Sequence, residues 1–216
     1  MKPQAVLLDL DGTLTDSRSG IVGSCWAALR ALGHEPDPTV DLTYVVGPPM
    51  EDVMGELLAH YGDTRVEQAV AAYRAHYGEI GLFDNKVYDG IETLLTNLRA
   101  AGRRICLATS KRTVFARRIL VHFKLDGYFD GIYGAEPGGA RDHKPELIAH
   151  VLTAEAIDPA TAVMVGDRRY DITGAHANHV RAIGVLWGYG GRAELEQAGA
   201  DLLVATPTEL TAALLQ

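Results

Sequence analysis

Several features are scarce in this chain of 216 residues, and each scarcity narrows the range of functions. Only two cysteines are present, Cys25 and Cys106, and their spacing matches no disulfide framework, metal site or redox motif. We expect both cysteines to be buried and to have no role in function. No apolar run approaches the roughly 20 residues that span a bilayer, and the first apolar stretch is too short for a signal peptide. The sequence therefore predicts a cytoplasmic protein with no membrane partner.

Positive charge is also in short supply. Twenty basic residues face 28 acidic ones, which gives a formal net charge of -8. A protein that binds nucleic acid normally needs a basic face, so nucleic acid is not an expected partner. A small anionic substrate is still compatible with this charge, because a local site can be positive on an acidic protein. No G-x-G-x-x-G sequence follows the first apolar run, which argues against a dinucleotide-binding enzyme.

What the chain does contain is a regular alternation of short apolar runs and helical patterns. The predicted strands are Ala5–Leu10, Arg104–Ala108, Gly131–Tyr133, Ala162–Val165, Ala182–Leu186 and Leu202–Val204. The predicted helices between and after them are Ile91–Ala101, Thr113–Phe123, Pro145–Ala154, Asp171–Asn178, Ala193–Ala198 and Glu209–Leu215. This alternation predicts an α/β fold, a Rossmann-like parallel sheet with helices on both faces.

One segment interrupts the alternation. Residues 17–83 contain no convincing strand, only helical stretches such as "IVGSCWAALRAL", "EDVMGELLAH" and "RVEQAVAAYRAHY", separated by glycine and proline. We therefore expect residues 1–16 and 84–216 to form the α/β core. Residues 17–83 are expected to form a helical cap inserted after the first strand.

Polar residues cluster where the predicted strands end, which is where an open parallel sheet binds its ligands. They are Asp9 and Asp11 at the end of the first strand, Thr109 and Ser110 after the second, Lys144 before the helix that follows the third, and Asp167 and Asp171 after the fourth. Paired buried carboxylates repel each other and call for a cation. Carboxylate oxygens with few other ligands suit Mg²⁺, which also takes phosphate oxygens. Each residue alone has a structural alternative, as a turn residue, a helix cap or a solvated lysine.

The order of these motifs carries a resemblance. "DLDGTLTDS", "LATSK", "HKPE" and "VGDRRYDI" resemble, in that order, the four motifs of the haloacid dehalogenase superfamily. "VGPPMEDV", "VYDGI" and "GVLWGYG" are similar to its phosphoglycolate phosphatase-like branch, whose relatives include nucleotidases and other phosphatases. The resemblance runs over the whole chain, including a helical cap after the first motif.

The resemblance implies a phosphatase that works through an aspartyl-phosphate. Asp9 would be the nucleophile, and Asp11 would protonate the leaving alcohol and then activate water. Thr109 would bind a phosphate oxygen through its hydroxyl, beside the Ser110 N–H. Ser110 stands where many relatives have Asn, which leaves this N–H in place. Lys144 would pair with Asp9 and with the phosphoryl oxygens.

The resemblance also implies Mg²⁺ as the cofactor and a small phosphorylated metabolite as the substrate. The ion would be held by the Asp9 carboxylate, the Asp11 backbone carbonyl and Asp167, with Asp171 in support. Arg18, in the predicted cap, either binds a second anionic group of the substrate or forms a surface salt bridge.

Other chemistries of the superfamily differ in how well they fit. The Asp-x-Asp pair argues against a dehalogenase, which has no alcohol to protonate, and the absence of lysine from residues 17–83 argues against a phosphonate hydrolase. A phosphomutase with the same core site stays open, as do phosphoglycolate, nucleotide, sugar phosphate and pyrophosphate as substrates, and the oligomeric state. Outside the motifs, we expect Trp187 and Tyr189 to pack at the sheet edge, and Arg168 to be solvated or paired with a carboxylate.

Overall fold

The apolar run that precedes the first aspartate forms the strand β1 (Ala5–Leu8), and all four of its side chains are buried. The structure is a computed structural model, and it describes residues 3–40 and 42–216. The other strands are β2 (Thr15–Asp16), β3 (Lys86–Val87), β4 (Arg104–Arg112), β5 (Gly131–Ala135), β6 (Ala162–Gly166), β7 (Arg181–Val185) and β8 (Leu202–Val204). Six of them form one sheet in the order β5-β4-β1-β6-β7-β8, and β2 and β3 form a separate two-stranded sheet.

Every pairing in the six-stranded sheet is parallel. A parallel sheet is covered on both faces, which explains why its inner strands are continuously apolar rather than alternating. The α-helices of the described residues are α1 (Arg18–Ala31), α2 (Met50–Ala59), α3 (Val66–His76), α4 (Ile91–Ala100), α5 (Thr113–His122), α6 (Lys144–Ala154), α7 (Arg169–His176), α8 (Arg192–Gln197) and α9 (Pro207–Leu215). The predicted α/β class with a parallel sheet is confirmed.

The chain divides into two compact units. One consists of Met1–Asp16 together with Val87–Gln216 and contains the six-stranded sheet; the other, Ser17–Lys86, contains α1, α2 and α3. The two-residue strands β2 and β3 lie where the chain passes from one unit to the other. They are too short to carry a periodic pattern, and the sequence did not predict them.

The strand β4 differs from its predicted extent. It was expected to end at Ala108, but it continues to Arg112, so Thr109 and Ser110 lie within the strand rather than after it. The pairing with β5 shifts register between Ala108 and Arg112, which marks an irregular segment. The apolar pattern stops where this irregularity begins, and for that reason it predicted the end of the strand too early.

Strand register sets the position of the polar residues. Leu8 of β1 is aligned with Leu107 of β4 and with Val165 of β6. Because the three strands are parallel, the residues that follow these positions emerge at one edge of the sheet.

Both cysteines are buried and free, as predicted. Among the helices of the described residues, none has the length and apolar character needed to cross a membrane.

Candidate active site

Asp9 directly follows β1 and lies next to a buried ammonium group. Lys144, the first residue of α6, donates a hydrogen bond from Nζ to Asp9 Oδ1 at 2.7 Å and another to the Ala108 carbonyl at 2.8 Å. Its Nζ also lies 2.5 Å from Asp171 Oδ1, a close ion pair. Lys144 is 4% exposed, so the ammonium is held between two carboxylates and a carbonyl in the interior.

A group of three buried carboxylates lies at this edge of the sheet. One oxygen each from Asp9, Asp167 and Asp171 lies within 4.8 Å of the others. Asp171 is positioned by the start of α7, where its Oδ2 accepts a hydrogen bond from the Arg168 N–H at 3.1 Å. The Arg168 side chain is paired with Glu194 at 2.9 Å, as predicted for a carboxylate partner. Asp171 thus caps its own helix while its other oxygen faces Lys144.

Asp167 has an oxygen whose hydrogen-bonding capacity is unused. Its Oδ2 accepts a hydrogen bond from the Tyr189 N–H at 2.7 Å. Within the described part of the chain, no donor reaches the buried Oδ1. A buried carboxylate oxygen without a partner is costly, and a cation would satisfy it. The carboxylate oxygens of Asp9, Asp167 and Asp171 are hard ligands at one place, so the residues present fit Mg²⁺.

The pKa values of the site reflect burial first and an excess of negative charge second. Burial raises the pKa of Asp9, the Lys144 ammonium lowers it and the Asp171 carboxylate raises it, with a net value of about 6. Burial also raises the pKa of Asp167 well above its usual value, with Asp171 and Asp9 adding to the rise. For Lys144, burial alone lowers the pKa, but Asp171 and Asp9 outweigh it and the net pKa is raised. A divalent cation would relieve this crowding.

Asp11 has a different cationic partner, which the sequence analysis did not single out. Lys111 Nζ lies 2.9 Å from Asp11 Oδ2, and the two side chains are only 7% and 11% exposed. The site therefore contains two ammonium groups rather than the single one that the motifs predicted. Lys111 was visible in the "LATSK" motif, but its role depends on the irregular end of β4.

The remaining predicted residues occupy different positions. Thr109 is buried, and its Oγ1 accepts a hydrogen bond from the Lys111 N–H at 3.2 Å. Ser110 is half-buried in β4. Arg18 is the exposed first residue of α1, in the helical unit Ser17–Lys86. The phosphate-binding roles of Thr109 and Ser110 and the substrate role of Arg18 stay predictions.

The loop after β7 holds Asp167 in place, a contact that the sequence analysis did not predict. Besides the Tyr189 N–H bond to Asp167, the Tyr189 hydroxyl bonds Asp16 Oδ1 at 3.0 Å. Trp187 donates from Nε1 to the Thr13 carbonyl at 3.0 Å. A Cβ on Gly188 would lie 2.3 Å from the Asp167 Cβ. The approach is so close that only glycine fits. The glycines of "LWGYGG" are the sequence feature that indicates this close approach.

Gly12 makes a second close approach to the same carboxylate. It has φ +82°, and a Cβ there would lie 2.2 Å from Asp167 Oδ2. A positive φ and the lack of space both require glycine. The turn after β1 can therefore pass directly beside Asp167.

Comparison with known proteins identifies the family of this chain. The model of the haloacid dehalogenase-like hydrolase family matches residues 6–185. The chain belongs to this family. A 5'-nucleotidase of Pseudomonas aeruginosa is 42% identical over 88% of this chain and 86% of its own length. The tyrosine-protein kinase PtkA of Mycobacterium tuberculosis is 43% identical over 98% of this chain and 72% of its own length.

A phosphoglycolate phosphatase and the solved structure of a predicted phosphatase are also similar to this chain. A phosphoglycolate phosphatase of Neisseria meningitidis is 30% identical over 90% of this chain and 85% of its own length. The crystal structure of a predicted phosphatase from Clostridium acetobutylicum superposes with a TM-score of 0.90 at 37% identity, covering 100% of this chain and 99% of that one. The resemblance inferred from the motifs is confirmed, and the chain is an enzyme of the phosphatase type within this family.

Proposed function

We propose that this enzyme is a Mg²⁺-dependent phosphatase that hydrolyses a small phosphomonoester through an aspartyl-phosphate on Asp9. The observation that carries the proposal is the buried Asp9 carboxylate, hydrogen-bonded to Lys144 at 2.7 Å and gathered with Asp167 and Asp171. When the Asp9 carboxylate attacks phosphorus, it is repelled by the negative charge of the phosphoryl group. The Lys144 ammonium and the proposed Mg²⁺ would offset this repulsion.

The metal would be held by Asp9, Asp167 and Asp171, with the Asp11 backbone carbonyl as the further predicted ligand. When bound, Mg²⁺ offsets the negative charge of the carboxylates and of the phosphoryl group. The raised pKa values of Asp9 and Asp167 support this assignment, because burial and the neighbouring carboxylates disfavour the ionised groups and a cation would stabilise them.

The chain's own residues would carry out the reaction in two steps. An Asp9 oxygen attacks phosphorus while the ester oxygen leaves and takes a proton from Asp11. Asp11 then accepts a proton from water, and the water oxygen attacks the phosphorus of the aspartyl-phosphate to release orthophosphate and restore Asp9. Lys144 holds the Asp9 carboxylate and neutralises charge on the phosphoryl oxygens. Thr109 and the Ser110 N–H would bind those oxygens.

The substrate proposal is a small phosphorylated metabolite. The similarity to a 5'-nucleotidase favours nucleoside 5'-monophosphates as the first compounds to test, and the similarity to a phosphoglycolate phosphatase favours phosphoglycolate as the second. The helical unit Ser17–Lys86 would act as a cap that selects the leaving group, with Arg18 as its candidate anion-binding residue.

A second candidate is transfer of the phosphoryl group to a hydroxyl acceptor. The observation that favours it is the 43% identity to PtkA, which is named a tyrosine-protein kinase. A phosphoenzyme at Asp9 can in principle pass its phosphoryl group to an alcohol as well as to water, so both activities would use the same residues.

The test is a panel of phosphomonoesters assayed for phosphate release with Mg²⁺ and with EDTA. Wild type is expected to release phosphate from at least one compound only when Mg²⁺ is present, and Asp9→Asn from none. Asp89→Asn removes an exposed carboxylate elsewhere in the same unit and is expected to behave as wild type. Equal release by wild type and Asp9→Asn would refute the proposal. A parallel reaction with a nucleoside triphosphate and a tyrosine peptide tests the second candidate through phosphotyrosine formation.

A further inference from the structure

Asp11 is paired with an ammonium group of its own. Lys111 Nζ lies 2.9 Å from Asp11 Oδ2, whereas Lys144 forms ion pairs with Asp9 and Asp171. Both members of the Lys111–Asp11 pair are largely withdrawn from solvent. The two aspartates of the Asp-x-Asp motif thus have separate cations, which come from separate elements of the fold.

The backbone fixes Lys111 at this position. Its N–H donates to Thr109 Oγ1, and it lies in the part of β4 where the pairing with β5 changes register. A Cβ on Gly134, in the neighbouring strand β5, would lie 2.3 Å from the Lys111 carbonyl oxygen. The close passage of the two backbones leaves little freedom for the Lys111 main chain, so its side chain starts from a defined point.

A buried ion pair of this kind is not explained by stability. Withdrawing two charges from water costs about as much as their attraction returns, and an apolar pair of similar volume is often equally stable. Such a pair does, however, hold a carboxylate in one place, because moving either partner exposes an uncompensated charge. The side chain held here is the one that the proposed mechanism uses at the leaving oxygen.

We infer that Lys111 is a positioning residue that holds the Asp11 carboxyl group where the ester oxygen departs. The inference rests on the proposed function, in which Asp11 assists the leaving group. Lys111 acts through Asp11 and makes no bond to the reacting atoms. Its loss therefore matters in proportion to how much help the leaving group needs.

The test compares substrates that differ in this need. Lys111→Met is expected to lower kcat/KM about 10- to 100-fold with an alkyl phosphate, a loss at or below the lower end of what acid–base assistance contributes. With p-nitrophenyl phosphate, whose leaving group departs readily, the loss is expected to be within about threefold. Lys111→Arg keeps a cation and is expected to recover most of the activity. Lys124→Met, at an exposed lysine in the same unit, is the matched control and is expected to change neither value.

A double-mutant cycle with Asp11→Asn separates action through Asp11 from an independent role. If Lys111 acts through Asp11, Lys111→Met has no further effect on kcat/KM in the Asp11→Asn background. Equal losses on both substrates, or multiplicative effects in the cycle, would overturn the inference. The double variant removes both charges and leaves no unpaired carboxylate, so it keeps the cycle readable if Lys111→Met alone folds poorly, a point checked by thermal melting.

Failure of the proposed function has a different signature. If Asp9→Asn or Asp11→Asn retains full activity on the alkyl phosphate, the mechanism itself is wrong. If both are impaired while Lys111→Met matches wild type on both substrates, only the inference about Lys111 is wrong.

Discussion

The raised pKa of Asp9 predicts that metal-free enzyme is destabilised by its own active site above pH 6. In the fold this pKa is about 6, against 3.8 for the ordinary carboxyl. Because the folded-state pKa is raised, the folded state binds the proton more tightly than the unfolded chain does. The stabilisation is fully present below about pH 4 and is lost as pH rises through 6. The loss amounts to about 3 kcal/mol at neutral pH.

The assay is thermal melting of wild type and Asp9→Asn in EDTA between pH 4 and 8. For a chain of this size about 3 kcal/mol corresponds to a Tm difference of about 6–12 °C. Asp9→Asn cannot ionise at this position and leaves Lys144 paired with Asp171, so we expect it to melt above wild type at pH 7.5. Its advantage should shrink steadily toward pH 4. Taking the difference between the two proteins cancels the titration of carboxylates elsewhere, such as Asp130 and Asp201, whose pKa values are lowered.

Magnesium supplies the second arm of this experiment. The ion binds the ionised carboxylates, so it should raise the Tm of wild type more at pH 7.5 than at pH 5. It should also remove most of the advantage of Asp9→Asn at the higher pH. A wild type that melts at or above Asp9→Asn in EDTA throughout the range would refute the reasoning, because it would mean that ionised Asp9 is not under strain in the apoprotein.

Three substitutions test other parts of the site. Lys144→Met should abolish phosphate release and lower the free energy of unfolding by about 3–5 kcal/mol in urea titrations, because it breaks a buried ion pair; unchanged activity would contradict the role of Lys144. Gly188→Ala should raise the Mg²⁺ concentration for half-maximal activity about tenfold by displacing the Asp167 carboxylate, whereas Gly191→Ala, where a Cβ meets nothing within 4 Å, should not change it. Arg18→Ala should raise KM about tenfold with little change in kcat for a substrate with a second anionic group; equal KM values for wild type and variant would assign Arg18 to a surface role.

The fold and the central carboxylates were predictable because both follow from local patterns. Short apolar runs separated by helical periods predict parallel strands, and parallel strands bring their carboxyl ends to one edge. Asp9 directly follows the apolar residues Ala5–Leu8 and Asp167 lies two residues after Ala162–Val165, so the sheet edge brings them together without any knowledge of packing. The structure places their carboxylates within 4.8 Å of each other.

The contacts that the sequence did not predict depend on backbone detail. Lys111 reaches Asp11 because β4 continues past Ala108 through an irregular segment, and no residue pattern marks that path. The bond to Asp167 from the loop after β7 comes from the Tyr189 main-chain N–H, which every residue but proline carries. A donor common to nearly all residues leaves no signal in the sequence, and only the neighbouring glycines indicate the close approach.

The charges in the core site lead to a prediction about metal stoichiometry. The carboxyl groups of Asp9, Asp11, Asp167 and Asp171 face the ammonium groups of Lys111 and Lys144. If all six groups are ionised, the site has a net charge of -2. The carboxyl groups in this set with clearly raised pKa values are those of Asp9 and Asp167.

One divalent ion would balance the excess, and a second would leave the site positive. We therefore expect calorimetric titration of wild type with Mg²⁺ at pH 7.5 to show one ion per chain, and Asp167→Asn to weaken its binding by at least about tenfold. Proton release on binding should be smaller at pH 7.5 than at pH 6, since Asp9 is then already ionised. Two equivalent ions per chain, or unchanged affinity in Asp167→Asn, would show that the carboxylate group around Asp9 is not where the metal is held.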